Sequence, residues 1–327
     1  MATNELLKQG TLLDIMNQIG PDGNLLAVAE VLQKETPILK DAVWVEANDT
    51  VQHVYSRRTA LPKSEILRFN KGVNGNKGAT EQETSGIMSR GNRPWYDARL
   101  VDLAPNKQEY RNMEARATIM GIGQEFDNDI IYATKAGDVK SFDGLMTYVN
   151  SATGKMVQLG GATGSSTAVT SAYIVAWDVT MGAFMAYPRG SKAGIKFEDK
   201  GRRAKDMADG STMEVYEDYV EISGGLCVSD LRAVARYANI DVSDPSSATA
   251  FSEDKIIVLL NKMPASLRSK AVIYVSEGLK SMIEIRANKK DNAYYTPKNV
   301  FGEELTAIRN VPVRLDEMIS ESETLLA

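Results

Sequence analysis

Residues 173–241 constrain the fold more than any other stretch. They begin with the β-rich run YIVAW (173–177) and turn at YPRGSKAG (187–194). A charged excursion follows at 206–212, then an alternating run from Met213 to Ile222. The stretch closes on GGLCVSD (224–230) and on 232–241, ending ANID (238–241). Alternation sends apolar and polar side chains to opposite faces of a strand, and glycine-rich turns reverse the chain. The pattern predicts antiparallel strands and long hairpins. No residue in it reads as catalytic.

Composition narrows the remaining choices. At 327 residues the chain has mass for two structural domains. Its 38 Lys and Arg against 43 Asp and Glu argue against a dedicated nucleic-acid binder, whose affinity needs a basic footprint. Cys227 is the sole cysteine and His53 the sole histidine, so an internal disulfide and a Cys/His zinc site are excluded. A Ser-His-Asp triad would have to use His53, which lies in a polar β-rich run and reads as a solvated strand residue; Cys227 reads as a small buried apolar one. The first residues lack the basic and apolar regions of a signal peptide, and no apolar run approaches a membrane span. These features predict a soluble protein kept in a reducing cytoplasm, with no cofactor and no membrane contact.

Taken in order, 6–19 and 25–34 have helical spacing, separated by the stop Gly20-Pro21-Asp22-Gly23. Residues 43–45 and 51–57 read as strands. Residues 69–80 are then rich in Gly, Asn and Lys, a tip that cannot bury itself. With flanking strands it forms a long two-stranded finger. An isolated hairpin is marginal in water, so the finger makes sense if a neighbouring subunit receives it.

The strongest helix spans 109–135, with Ile119, Ile122, Phe126 and Ile130 on one face and Arg111, Arg116, Glu125, Asp127 and Asp129 elsewhere. Gly121 and Gly123 mark a bend or a close backbone approach; no third glycine follows, so they are no dinucleotide fingerprint. The run 160–167 lacks the Lys-Ser/Thr of a phosphate loop and reads as a flexible loop. Ser252 caps a helix to Lys262, which Pro264 ends. Residues 270–275 form a strand buried on both faces, 279–290 a helix, and 311–316 a final edge strand carrying Pro312. Together 252–316 form a small α/β layer distinct from the finger and hairpins.

In YPRGSKAG (187–194), GLCVSDLR (225–232) and ANID (238–241), then VPVR (311–314) with Asp316 and Glu323, the chain resembles the major capsid proteins of tailed bacteriophages, within them the short-tailed group. These motifs cover roughly 170–325 and are structural signatures. The resemblance implies an α+β fold: an N-terminal arm (1–50), a long β-hairpin extended loop (51–99), and a peripheral domain (100–150) with a spine helix at 109–135. A β-rich hairpin region (151–245) and an axial α/β domain (246–327) follow. The hairpin stretch precedes the α/β layer, a departure from the order expected of better-known relatives.

The implied function is assembly without turnover. Copies form hexamers and pentamers that tile an icosahedral shell around packaged double-stranded DNA, contacted without sequence preference. Scaffolding protein, portal and a decoration protein are the implied partners. The virion capsid is the implied location, with assembly in the cytoplasm of the host bacterium. Lys63, Arg68, Lys71 and Lys77 on the finger are candidates to pair with Glu214, Glu217, Asp218 and Glu221 of a neighbour, against the alternative of a solvated charged surface. Arg202, Arg203 and Lys205 form the only compact basic patch, a solvated loop by default and a DNA-facing or intersubunit surface second. A bacterial nanocompartment shell of the encapsulin type is the nearest alternative. A soluble α/β enzyme is disfavoured by the single His and single Cys.

Overall fold

Glycines and polar turns break this sequence into short strands around one long helix, and a computed structural model shows how they combine. It describes residues 34–136, 141–164, 166, 168–207, 210–244, 251–287, 298–300, 303–305 and 307–326. The helices expected at 6–19 and 25–34 (apart from Lys34), their Gly-Pro-Asp-Gly stop and positions 294–297 lie outside the described residues.

In chain order the elements begin with α1 (Ile38–Asp41), β1 (Trp44–Glu46), β2 (Gln52–Ala60), β3 (Ala79–Gly86), β4 (Met88–Asn92) and β5 (Trp95–Asp97). Next come α2 (Ala98–Leu103), α3 (Lys107–Tyr132), α4 (Leu145–Tyr148), β6 (Val157–Leu159), β7 (Val169–Ala176), β8 (Ala183–Tyr187), β9 (Ile195–Asp206) and β10 (Thr212–Val228). The chain continues through β11 (Val234–Asp241), α5 (Glu253–Lys262), α6 (Ala265–Arg268), β12 (Ala271–Val275) and α7 (Glu277–Ala287). It closes with β13 (Lys298–Val300), β14 (Glu303–Leu305), β15 (Ala307–Ile308) and β16 (Val311–Leu315).

The chain divides into two units. Among the described residues, the first holds Lys34, 89–126 and those of 194–223; the second holds those of 35–88, 127–193 and 224–326. In the first, β9 and β10 form the long antiparallel hairpin expected from the alternation, from Thr212↔Asp206 to Ile222↔Ile195, with a bulge at Glu217/Asp218. β5 pairs antiparallel with the other edge of β10. Tyr96, Val101, Ala104 and Tyr110 make a small core there, with the Tyr96 and Tyr110 rings edge to face at 6.1 Å.

Helix α3 starts two residues before the expected position. Asn106 accepts from the Glu109 N–H through Oδ1 (3.3 Å) and its side-chain amide reaches Glu109 (3.1 Å), a reciprocal cap on the first turn. Ile122, Phe126 and Ile130 are buried as expected, and Ile119 is half-buried. Asp127 and Asp129, placed off that face by the spacing, are buried too. Of the two readings of Gly121, a bend or a close approach, the second does not hold, because Gly121 faces open space.

The second unit is built on the mixed sheet β15-β16-β12-β7-β11-β6. β7 is antiparallel to both neighbours, β12 and β11, whereas β12–β16 and β11–β6 are parallel. Every residue of β7 is buried, and β12 is buried along most of its length. Such central strands read as continuous apolar runs because both faces are covered. This overturns the reading of 252–316 as a separate layer: its strands β12 and β16 share one sheet with β7 and β11 from the hairpin stretch. β16 is not the edge strand either. The two-residue β15 pairs with it antiparallel, Ala307 opposite Pro312, across a turn whose central residues, Arg309 and Asn310, both have positive φ (50° and 66°), the geometry that suits a tight hairpin. Helix α5 follows Ser252, whose side chain makes no cap bond; Ile256, Leu259 and Leu260 are buried and Ile257 is half-buried.

The start of the run expected to be a flexible loop, residues 160–162, is held to β11. Gly160 donates to Ala238 O (2.6 Å) and Ala162 to Asn239 O (3.0 Å). A Cβ at Gly160 would sit 2.0 Å from Asn239 O, so only glycine fits that approach.

Candidate assembly interface

Among the described residues the finger is a ladder of two strands with no third. β2 and β3 pair from Gln52↔Gly86 to Ala60↔Ala79 and join no other described strand, and Arg57 bridges to Glu83 and Glu81 on the facing strand. Residues 61–78 connect the strands without regular structure beyond one turn. Lys63, Arg68, Lys71 and Lys77 are all exposed there, and none makes an ion pair among the described residues. Apolar side chains accompany them: Leu61, Leu67 and Val73 are exposed, and Ile66 and Phe69 are 88% and 102% exposed. The Gly/Asn/Lys-rich composition of 69–80 obscured this; the signal lay just upstream, in Leu61, Ile66 and Leu67, and in Phe69 at the start of that stretch. Exposed apolar groups on one loop are what an unpartnered contact surface presents.

The four acidic candidates do not behave alike. Asp218 is corrected outright: it is 1% exposed and takes a 2.5 Å hydrogen bond from Arg111, which also binds Asp199 at 2.6 Å. Burial raises the Asp218 carboxyl above its usual range and Arg111 pulls it back. Asp199, nearer solvent, is held below its usual range by its hydrogen bond from Arg111. Glu214 pairs with Arg202, and Glu217 with Arg93 at 2.8 Å. Glu221 accepts from the Tyr219 hydroxyl at 2.8 Å and from Ser223. All three engage partners in their own chain.

The basic patch dissolves on the strand. Arg202, Arg203 and Lys205 lie in β9, where successive side chains point to opposite faces. Arg202 turns to Glu214 and Asp102, whereas Lys205 stacks over the Trp95 ring at 4.0 Å. Arg203 is exposed on the Lys205 face.

His53 lies on a strand as expected, but half-buried there rather than fully solvated. Its ring meets Phe184 edge-on at 5.3 Å, and burial lowers the imidazole pKa. Cys227 is buried within strand β10, opposite Phe184 of β8, as the sequence reading expected, and burial pushes its thiol up to about 12, far from a reactive thiolate. Among the described residues no group of three or more His, Cys, Asp or Glu is placed to hold a metal ion, and no helix is long and apolar enough to cross a membrane.

Sequence reasoning missed the polar joints that fix the subunit's shape. Glu323 accepts from Tyr132 (2.7 Å), Tyr173 (3.1 Å), Ser171 and Arg236 (2.8 Å), all at the heart of the second unit. Asn239, at φ +57°, forms a two-bond bridge to the Leu326 backbone, both bonds 2.9 Å. Trp177 donates to Tyr274 (2.8 Å), and Tyr274 to Asp41 (2.9 Å), which Arg314 also holds (2.9 Å). Asn239, Arg314 and Glu323 belong to the ANID, VPVR and Glu323 signatures; their partners come from elsewhere in the chain. Pattern alone marked the positions, and only the fold shows what each one touches.

The profile of the major capsid protein GP7 family matches residues 20–327. The structure of bacteriophage epsilon15 is similar in fold at a TM-score of 0.75 and 22% identity, over 97% of each chain. The bacteriophage JBD30 capsid gives a TM-score of 0.51 at 11% identity, over 90% of this chain and 91% of that one. The SrpI encapsulin from Synechococcus elongatus gives 0.43 at 12% identity, over 67% and 98%. No curated protein sequence matches the chain. The α+β capsid-protein fold expected from the motifs is thus the fold observed.

Proposed function

This chain belongs to the major capsid protein GP7 family, the shell-forming proteins of tailed phages, and from that premise we propose how it builds its shell. Copies assemble as hexamers and pentamers into an icosahedral capsid around double-stranded DNA, without catalytic turnover. The family match over 20–327 favours this virion shell over a nanocompartment shell. The finger supports the reading most directly: a two-stranded ladder with exposed Leu61, Ile66, Leu67 and Phe69 is stabilised when a neighbouring copy covers it. Each apolar Å² so covered contributes about 25 cal/mol before the costs of association. Several weak contacts per subunit suffice, because closure makes the later ones effectively intramolecular.

In this scheme 1–50 act as the arm, 51–99 as the extended loop, 100–150 as the peripheral domain with α3 as its spine, and 151–245 and 246–327 as the remaining body. Lys63, Arg68, Lys71 and Lys77 meet acidic groups of the neighbour; Glu214, Glu217 and Glu221 would do so by exchanging or sharing their present partners. Arg203 is the member of the basic strand most open to DNA or to a second subunit. Scaffolding, portal and decoration proteins complete the assembly, which proceeds in the host cytoplasm. Electron microscopy of the expressed protein, with and without scaffold, tests the reading. Closed shells are expected, and a persistent monomer under every assembly condition would overturn it.

A further inference from the structure

Two fully buried carboxylic acids face each other with no cation between them. Asp127 comes from the last turns of α3 and Asp316 from the residue after β16, and both are inaccessible to solvent. Asp316 accepts the Met318 N–H at Oδ1 (3.0 Å). Among the described residues, its Oδ2 and both oxygens of Asp127 have no other hydrogen-bonding partner. The charged groups acting on the pair are the two carboxyls themselves and Glu317; Arg314, on the same strand, is committed to Asp41. Two ionised carboxylates at such a contact would be unpaired charges in a medium that solvates them poorly. One proton shared between them turns the same contact into a hydrogen bond.

We propose that Asp127 and Asp316 share one proton and form a pH-operated latch that fastens the C-terminal segment to the end of α3. The segment's path supports this. Asp316 N–H donates to Val275 O (2.9 Å), the turn after it returns Ile319 N–H to Asp316 O (3.3 Å), and Ser320 N–H reaches the Tyr132 hydroxyl on the same helix end (2.9 Å). Beyond that turn Glu323 is held by Arg236, a charge-balanced joint. The shared-proton contact is therefore the one joint of the segment that proton loss turns repulsive.

Burial and the partner carboxyl raise Asp127 to about 9. A carboxyl whose folded-state pKa is raised binds its proton more tightly folded than open, so closure is strongest at low pH. It weakens as pH climbs from the ordinary carboxylate range to the raised value, then levels off. Burial also raises Asp316 to about 6, so one proton remains on the folded pair between about pH 6 and 9, and there the opening equilibrium grows about tenfold per pH unit.

The test uses the full chain and its Asp127→Asn variant, whose amide donates to Asp316 without carrying charge. Amide exchange, corrected for intrinsic rate, is followed at Met318, Ile319 and Ser320. Between pH 7 and pH 9 the wild type should lose protection about tenfold per unit, and Asp127→Asn should hold its protection. Infrared spectra of the wild type at neutral pH should show a protonated carboxyl that disappears on raising the pH and is absent from the variant. Equal loss of protection in both proteins would overturn the latch. So would a wild type lacking the protonated-carboxyl band at neutral pH, a result independent of whether the variant folds.

Discussion

Replacing Glu323 with glutamine tests whether a single acid near the C-terminus organises the second unit. The Glu323 and Arg236 side chains are 5% and 3% exposed, so neither charge can turn to water when the other is removed. Glutamine keeps one carbonyl oxygen, enough for the Tyr132 and Tyr173 hydroxyls. Its amide then points donors at Ser171 and at Arg236, whose Nε already donates to Ser171 at 3.0 Å. Removing one member of a buried pair costs about 3–5 kcal/mol, and the retained hydroxyl bonds place Glu323→Gln toward the lower value. With an unfolding entropy of roughly 0.7 kcal/mol/K for a chain of this length, the expected fall in Tm is about 4–7 °C. Calorimetry on the purified, unassembled subunit measures it. The paired change Arg236→Leu with Glu323→Leu removes both charges and should recover much of the loss, since a hydrophobic replacement of a buried pair is often close to neutral. A Tm within about 1 °C of wild type for Glu323→Gln would refute the reasoning.

Gly225→Ala would place a Cβ 2.1 Å from Gly86 O and 3.3 Å from Ile87 Cα, both strand backbone; a loss of about 1–3 kcal/mol is expected in a urea titration. Arg111→Leu strips the cation from buried Asp218, costing about 3–5 kcal/mol at neutral pH. Because the orphaned Asp218 carboxyl would then hold its proton more tightly folded than unfolded, the Tm gap to wild type should narrow as the solution is acidified. Deleting residues 71–79 removes only exposed tip and leaves the β2–β3 ladder almost whole. The subunit should keep its Tm and fail to give normal shells by electron microscopy, and normal shells would sink the role assigned to the finger.

Where one local rule decides the outcome, the sequence was readable. The β9–β10 hairpin follows from alternation between Met213 and Ile222, and α3 from the spacing of Ile122, Phe126 and Ile130. Strands such as β12 announced their double burial by continuous apolar residues. What remained hidden depends on distant partners. Nothing local to Asp127 or Asp218 distinguishes a buried carboxyl from a solvated one; the difference is made by β16 in one case and by Arg111 in the other. Likewise the edge reading of 311–316 rested on Pro312, and it failed because two residues, Ala307 and Ile308, were enough to cover that side. The finger shows the reverse error: composition described the glycine-rich tip correctly and drew attention away from the apolar residues beside it.

The strand order β15-β16-β12-β7-β11-β6 has a consequence for synthesis. β7, made first among its neighbours, waits about 60 residues for β11 and about 100 for β12, and the joint at Glu323 comes some 150 residues after Tyr173. Long waits between partners slow folding and leave strand edges open. A chain still being made therefore cannot pair both edges of β7 until β12 exists, about 100 residues after it. Until then β7 offers an open strand edge, the place where two unfinished chains would most readily pair with each other.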